Sequence, residues 1–125
     1  MNFTAIVFVF LGGGIGSVIR FLISFLVNSQ NKISLPWATF LSNLSSIFIL
    51  LLAYYLSGVK STVSETTRYL ILIGFCGGLS TFSTFSFETA ELFRKGEFLI
   101  AMSNIIFNNL FCIAFVILYF KRVNG

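Results

Sequence analysis

The chain has 125 residues, room for one domain, with 57% apolar residues, 10% charged residues and a formal net charge of +4. A soluble globule of this size needs far more polar surface, so this composition points to an integral membrane protein. Histidine and aspartate are both absent, which excludes a Ser-His-Asp triad, removes most transition-metal ligand sets and argues against an enzyme.

Uncharged stretches predict an all-α protein with four transmembrane helices, at about 3–27, 36–57, 68–93 and 98–120, in a single domain over residues 1–125. Each approaches the roughly 20 residues that a helix needs to cross a bilayer. The first stretch does not read as a cleavable signal peptide, because it lacks a basic n-region and a small-residue cleavage site. It carries Gly12 and Gly16 at i, i+4, a spacing that lets helices approach closely. Arg20 follows one turn later on the same face. Two readings stand for it: attraction of an anion into a vestibule, or snorkelling to the interface.

The second helix opens near Pro36, a residue suited to a first turn. Thr39, Asn43 and Ser46 fall at i, i+4, i+7 and make one polar stripe, with Ser42 at its edge. Interhelical hydrogen bonding accounts for part of such a stripe. An Asn amide can also donate N–H to an anion while its carbonyl is satisfied elsewhere.

The third helix carries the most informative segment, GFCGGLSTFSTFSFE at 74–88. A Gly-Gly followed by four hydroxyl residues in five positions has no use on a lipid-facing helix. Non-helical backbone at membrane depth is tolerated where protein shields it or where it lines a cavity. A break is therefore expected near Gly77–Ser80, with freed carbonyls that suit a monovalent cation. Phe82 and Phe85 lie at i, i+3 and share a face, where their positive ring edges can point at an anion. Ser83 and Thr84 add hydroxyl donors beside them.

The fourth helix repeats the amide pattern with Asn104 and Asn108, and Asn109 adjoins them. Cys76 and Cys112 fall in apolar segments and read as small packing residues. With four spans, Lys60, Arg68, Lys121 and Arg122 share one side, and Lys32, Arg94 and Lys95 the other. So even a distribution fixes no orientation. Either a weak bias decides insertion, or the chain inserts both ways and pairs as an antiparallel dimer. The positive charge suits anionic lipid headgroups and gives no sign of a nucleic-acid partner.

GGGIGSVIR at 12–20, WATFLSN at 37–43 and the 74–88 segment together resemble the CrcB/Fluc family of fluoride channels, over nearly the whole chain. The resemblance implies a multi-pass protein of the prokaryotic cell membrane that lets fluoride leave the cytoplasm passively and so lowers its toxicity. It implies an antiparallel dual-topology dimer with two narrow pores and a structural, untransported Na⁺ at the dimer centre. The sodium carbonyls would belong to Gly77 and Ser80 of both subunits. Phe82 and Phe85 would form the aromatic box, Asn43 the pore-lining amide and Arg20 the helix-one arginine. Ser83 and Thr84 would fall in the polar track, and Asn104 and Asn108 would continue it.

The chain departs from the family's usual pattern in three places: Ser80 stands where Thr is usual, Asn108 where Ser is common, and Ser45-Ser46 where Gly-Ser is common. The partner is expected to be a second copy, with a paralogous subunit as the alternative. A small dual-topology exporter is a weaker one, since it needs a titratable carboxylate inside the bundle. Here Glu88, Glu91 and Glu97 sit at helix ends, and an ion pair of Glu88 with Arg94 or Lys95 is one reading of its role.

Overall fold

The structure is a computed structural model that describes residues 2–30, 36–58 and 62–125. Lys32 and Lys60, two of the charges weighed for orientation, lie outside the described residues. Among the described residues, four helices are long and apolar enough to cross a membrane: Phe3–Gln30, Trp37–Leu56, Glu65–Arg94 and Phe98–Asn124. The third is interrupted, so the elements are α1 (Phe3–Gln30), α2 (Trp37–Leu56), α3 (residues 65–79), α4 (Phe82–Arg94) and α5 (Phe98–Asn124). Among the described residues there is no strand.

Local chemistry sets the helix ends. Ser64 caps α3 by accepting the Thr67 N–H at 3.2 Å, and Thr81 caps α4 by accepting the Thr84 N–H at 3.2 Å. The turn from α4 to α5 closes on Gly96, whose φ of +78° a side chain would strain. Gly96 N–H reaches Phe93 O and Glu97 N–H reaches Leu92 O, at 3.0 and 2.9 Å, the paired bonds of a Schellman ending. Two stretches widen to π-helical winding, Arg68–Phe75 in α3 and Ile106–Phe111 in α5.

Packing follows the small residues. α1 lies chiefly against α3, and the two backbones touch. A methyl on Gly12 would overlap the Leu70 carbonyl, one on Gly16 the Phe75 carbonyl, and one on Gly78 the Gly13 carbonyl. The i, i+4 glycines of α1 thus serve close approach, here to backbone rather than to side chains. α2 meets α5 through rings: Phe40 lies 5.7 Å from Phe107 and 6.0 Å from Phe111, both edge-to-face. Such pairs contribute about 0.5–1.5 kcal/mol beyond area burial. The outer faces of α1 and α5 expose large apolar residues throughout, as lipid contact requires. Cys76 and Cys112 are buried and unpaired.

Candidate functional site

The break in the third span falls at Ser80 and Thr81, which are both extended (ψ 155° and 121°). Gly77 and Gly78 keep helical geometry within Cys76–Leu79. The interruption thus begins at the C-terminal edge of the expected interval. Gly77 lies inside the last helical turn, Leu79 ends it, and Ser80 is where the chain leaves it.

Asn43 of α2 holds the break open. Its Oδ1 accepts the Thr81 N–H at 2.8 Å, the donor that would close the next helical turn on Gly77 O in a continuous helix. Thr84 N–H, the corresponding donor for Ser80 O, goes to Thr81 Oγ1. The carbonyls of Gly77 and Ser80 both lose their helical donors in this way. Nothing lies within 4 Å of the position a Gly77 side chain would take, so the backbone there is open to approach. The donor set is neutral oxygen, and among the described residues no cluster of His, Cys, Asp or Glu could hold a metal. Freed neutral carbonyls fit a hard monovalent cation.

Neighbouring carbonyls are already taken. Gly78 O accepts Arg20 Nε at 3.0 Å. Through Nε, Arg20 thus ties α1 to the turn before the break. Cys76 O accepts from Ser46 Oγ at 2.8 Å, Ser80 Oγ at 2.8 Å and Ser80 N–H at 3.0 Å.

Beyond the break a polar relay crosses three helices. Asn43 Nδ2 donates to Asn108 Oδ1 at 2.8 Å. Asn108 Nδ2 donates to Asn104 Oδ1 at 2.7 Å and to Asn104 O at 3.1 Å. Asn104 Nδ2 donates to Thr89 Oγ1 at 2.9 Å, and Thr89 Oγ1 donates to Phe85 O at 2.7 Å. The stripes on α2 and α5 thus meet as the sequence spacing suggested. Thr89 completes the relay although sequence reading missed it. Its signal was modest: a hydroxyl residue one turn after Phe85 on the same face.

This relay borders an open groove of about 400 Å³, lined by Asn43, Ser46, Cys76, Gly77, Ser80, Thr81, Phe82, Phe85, Asn108 and Asn109 among others. The π-helical winding of Ile106–Phe111 sets both Asn108 and Asn109 along it, and such wide turns recur at functional sites. Phe82 and Phe85 have ring centroids 5.6 Å apart, tilted by 47°. Phe85 is 8% exposed and Phe82 74%, so one ring belongs to the bundle and the other projects from it. Ser83 and Thr84 do not line the groove: both gather around Thr81 Oγ1, at 3.3 and 3.1 Å. Asn104 is buried and borders a separate apolar cleft with Pro36, Trp37 and Phe40.

The ion pair considered for Glu88 does not form. Arg94 pairs with Glu91 instead, at 2.8 Å. Residues three apart share a helix face, whereas Glu88 and Arg94, six apart, do not. Glu88 Oε1 accepts from Thr39 Oγ1 at 2.8 Å, and its Oε2 is buried without a partner. Sequence placed this carboxylate at a helix end; it stands instead in the middle of α4, turned toward α2.

A family model described as CrcB-like protein, Camphor Resistance (CrcB), matches residues 7–120. The chain belongs to the CrcB family. Relatives within reach of it are named for fluoride. A fluoride-specific ion channel FluC of Pyrococcus abyssi is 41% identical over 120 residues, 96% of each chain. FluC of Methylobacterium radiotolerans is 37% identical over 120 residues, covering 94% of this chain and 83% of that one. FluC 1 of Yersinia pseudotuberculosis is 38% identical over 123 residues, covering 98% and 96%. As a CrcB-family member with four helices able to cross a bilayer, the chain is a multi-pass membrane protein. The glycine seam, the interrupted span and the amide relay are how this member builds that architecture.

Proposed function

We propose that this chain forms a fluoride-selective channel of the cell membrane, through which F⁻ leaves the cytoplasm passively. The observation that carries the reading is the groove beside the break: an Asn43 amide, two phenylalanines and a reopened helix N-terminus in one membrane-embedded place. Relatives named as fluoride-specific channels cover almost the whole chain. A small hard anion stripped of water is stabilised by fixed N–H donors and by positive ring edges. Asn43 supplies the donor and Phe82 with Phe85 the edges. Hydroxyls of Ser83 and Thr84 stand near the start of α4, Asn108 lines the groove, and Asn104 continues the relay behind it. No bond is made or broken, so the chemistry is positioning and charge alone.

We further propose that two copies pair antiparallel. The groove is open on one side, with Phe82 largely uncovered, and a second copy would supply the missing wall. The near-even distribution of Lys and Arg supports dual insertion. The Gly77 and Ser80 carbonyls of both copies would then hold a structural Na⁺. When bound, the ion supplies positive charge to carbonyls whose helical donors are spent elsewhere. Arg20, by occupying Gly78 O, keeps that carbonyl out of the set.

The test is to replace Phe82 or Asn43 with alanine in liposome-reconstituted protein and to follow fluoride efflux and cross-linked dimer together. The expected result is a loss of efflux of at least about tenfold, on the scale of one or two lost hydrogen bonds, with the dimer retained. Full efflux in both variants would remove the groove from the permeation path.

A further inference from the structure

The amide relay has a fixed direction. At one end stands the Thr81 backbone N–H, which can only donate; at the other stands the Phe85 carbonyl, which can only accept. Between them every amide must present oxygen to the preceding donor and nitrogen to the following acceptor. Reversing any one would set N–H against N–H or C=O against C=O. The orientation of all three asparagines is thus dictated by two backbone groups.

That direction assigns the donors. Asn108 spends both N–H groups on Asn104, one on its Oδ1 and one on its backbone carbonyl, at 2.7 and 3.1 Å. What it turns to Asn43 is an oxygen, 2.8 Å from Nδ2. An oxygen in that place repels an anion. Asn43 has its Oδ1 held by Thr81 and one N–H held by Asn108, which leaves its second N–H for the groove it lines. Asn104 has a spare N–H too, but the residue is buried, is not among those lining the groove, and borders the separate cleft beside Trp37.

We propose that Asn108 is a positioning residue that gives no hydrogen bond to the permeating anion. It clamps the Asn43 amide from one side while Thr81 clamps it from the other, so that one N–H stays aimed into the groove. This reassigns a side chain that sequence spacing alone placed among the donors, and it rests on the fluoride-channel reading. A shorter hydroxyl residue here would leave Asn43 held at one end only.

The experiment is a double-mutant cycle with Asn43→Ser and Asn108→Leu, read as fluoride efflux from liposomes. Leucine is close to asparagine in size and has no acceptor. Asn108→Leu alone is expected to slow efflux about five- to tenfold, the scale of one lost hydrogen bond. In the Asn43→Ser background it is expected to add nothing, because nothing remains to position. Effects that multiply in the double variant would overturn the proposal and make Asn108 a donor in its own right.

A second readout holds if Asn43→Ser leaves no measurable flux. In protein with ¹⁵N-labelled asparagine, solid-state NMR is expected to show fluoride contact at Asn43 Nδ2 and none at Asn108 Nδ2. Contact at Asn108 would refute the assignment. Without fluoride, the Asn43 side-chain amide should be rigid in the native chain and become more mobile in Asn108→Leu, seen as a shifted Nδ2 signal with a lower N–H order parameter. An Asn43 amide unaltered by Asn108→Leu would overturn the clamp itself. Absence of efflux from the native chain would instead sink the fluoride reading, with the clamp still judged by this amide signal.

Discussion

Replacing Gly16 with alanine is expected to force α1 away from α3. The new methyl would overlap the Phe75 carbonyl and stand 2.9 Å from the Leu79 nitrogen, where ordinary contact begins at 3.4 Å. Both neighbours are helix backbone, so no rotamer change relieves the clash. To clear the Phe75 oxygen, the closer of the two, the helices must part by about 1 Å, a gap that forfeits about half of the dispersion well for each facing atom pair. Overpacking of this kind costs about 1–3 kcal/mol. For a domain of this size that corresponds to a melting temperature lower by about 4–12 °C. The assay is thermal unfolding in detergent, with Gly14→Ala as the comparison, since nothing lies within 4 Å of a methyl at Gly14. Alanine there should leave Tm unchanged or raise it, by its better helix propensity. Equal destabilisation by both variants, or none by Gly16→Ala, would refute the backbone-contact seam.

Two further outcomes follow from the break and its surroundings. Ser80→Ala removes one of three donors to the Cys76 carbonyl and keeps the backbone of Ser80; unfolding in detergent should register a loss of about 1 kcal/mol or less, and fluoride efflux should persist. Initial fluoride efflux, measured at neutral and alkaline pH with the membrane potential clamped, should be the same with and without a proton gradient. Rates that scale with the gradient would move the reading to a proton-coupled exporter, with Glu88 as the carboxylate to mutate first.

Much of the architecture was legible because its physics is local. Charge-free stretches of bilayer length locate the four spans, and Gly77-Gly78 with the hydroxyl run locates the interruption within a residue or two. What stayed hidden depends on partners distant in sequence. Whether the backbone leaves the helix at Gly77 or at Ser80 is settled by Asn43, which captures the Thr81 N–H from another helix. Helical spacing aligned Asn104 with Asn108 but could not say which amide groups were spent, since that depends on Thr81 and Phe85 at the two ends of the relay. Thr89 escaped notice because one threonine on an aromatic-rich helix is ordinary until a buried asparagine is seen to need it. The widened turns at Arg68–Phe75 and Ile106–Phe111 have no Pro to announce them, and only the first contains a glycine, Gly74. Ser83 and Thr84 share a sequence neighbourhood with the two rings, yet capping geometry draws them to Thr81 instead.

The most direct measurement is anion efflux from liposomes that contain this chain alone, with fluoride and chloride followed in parallel, in sodium and in a bulky sodium substitute. The expected result is rapid fluoride loss without chloride loss, diminished when sodium is withdrawn. A correctly folded dimer that passes no fluoride, or passes chloride equally, would contradict a homomeric fluoride channel.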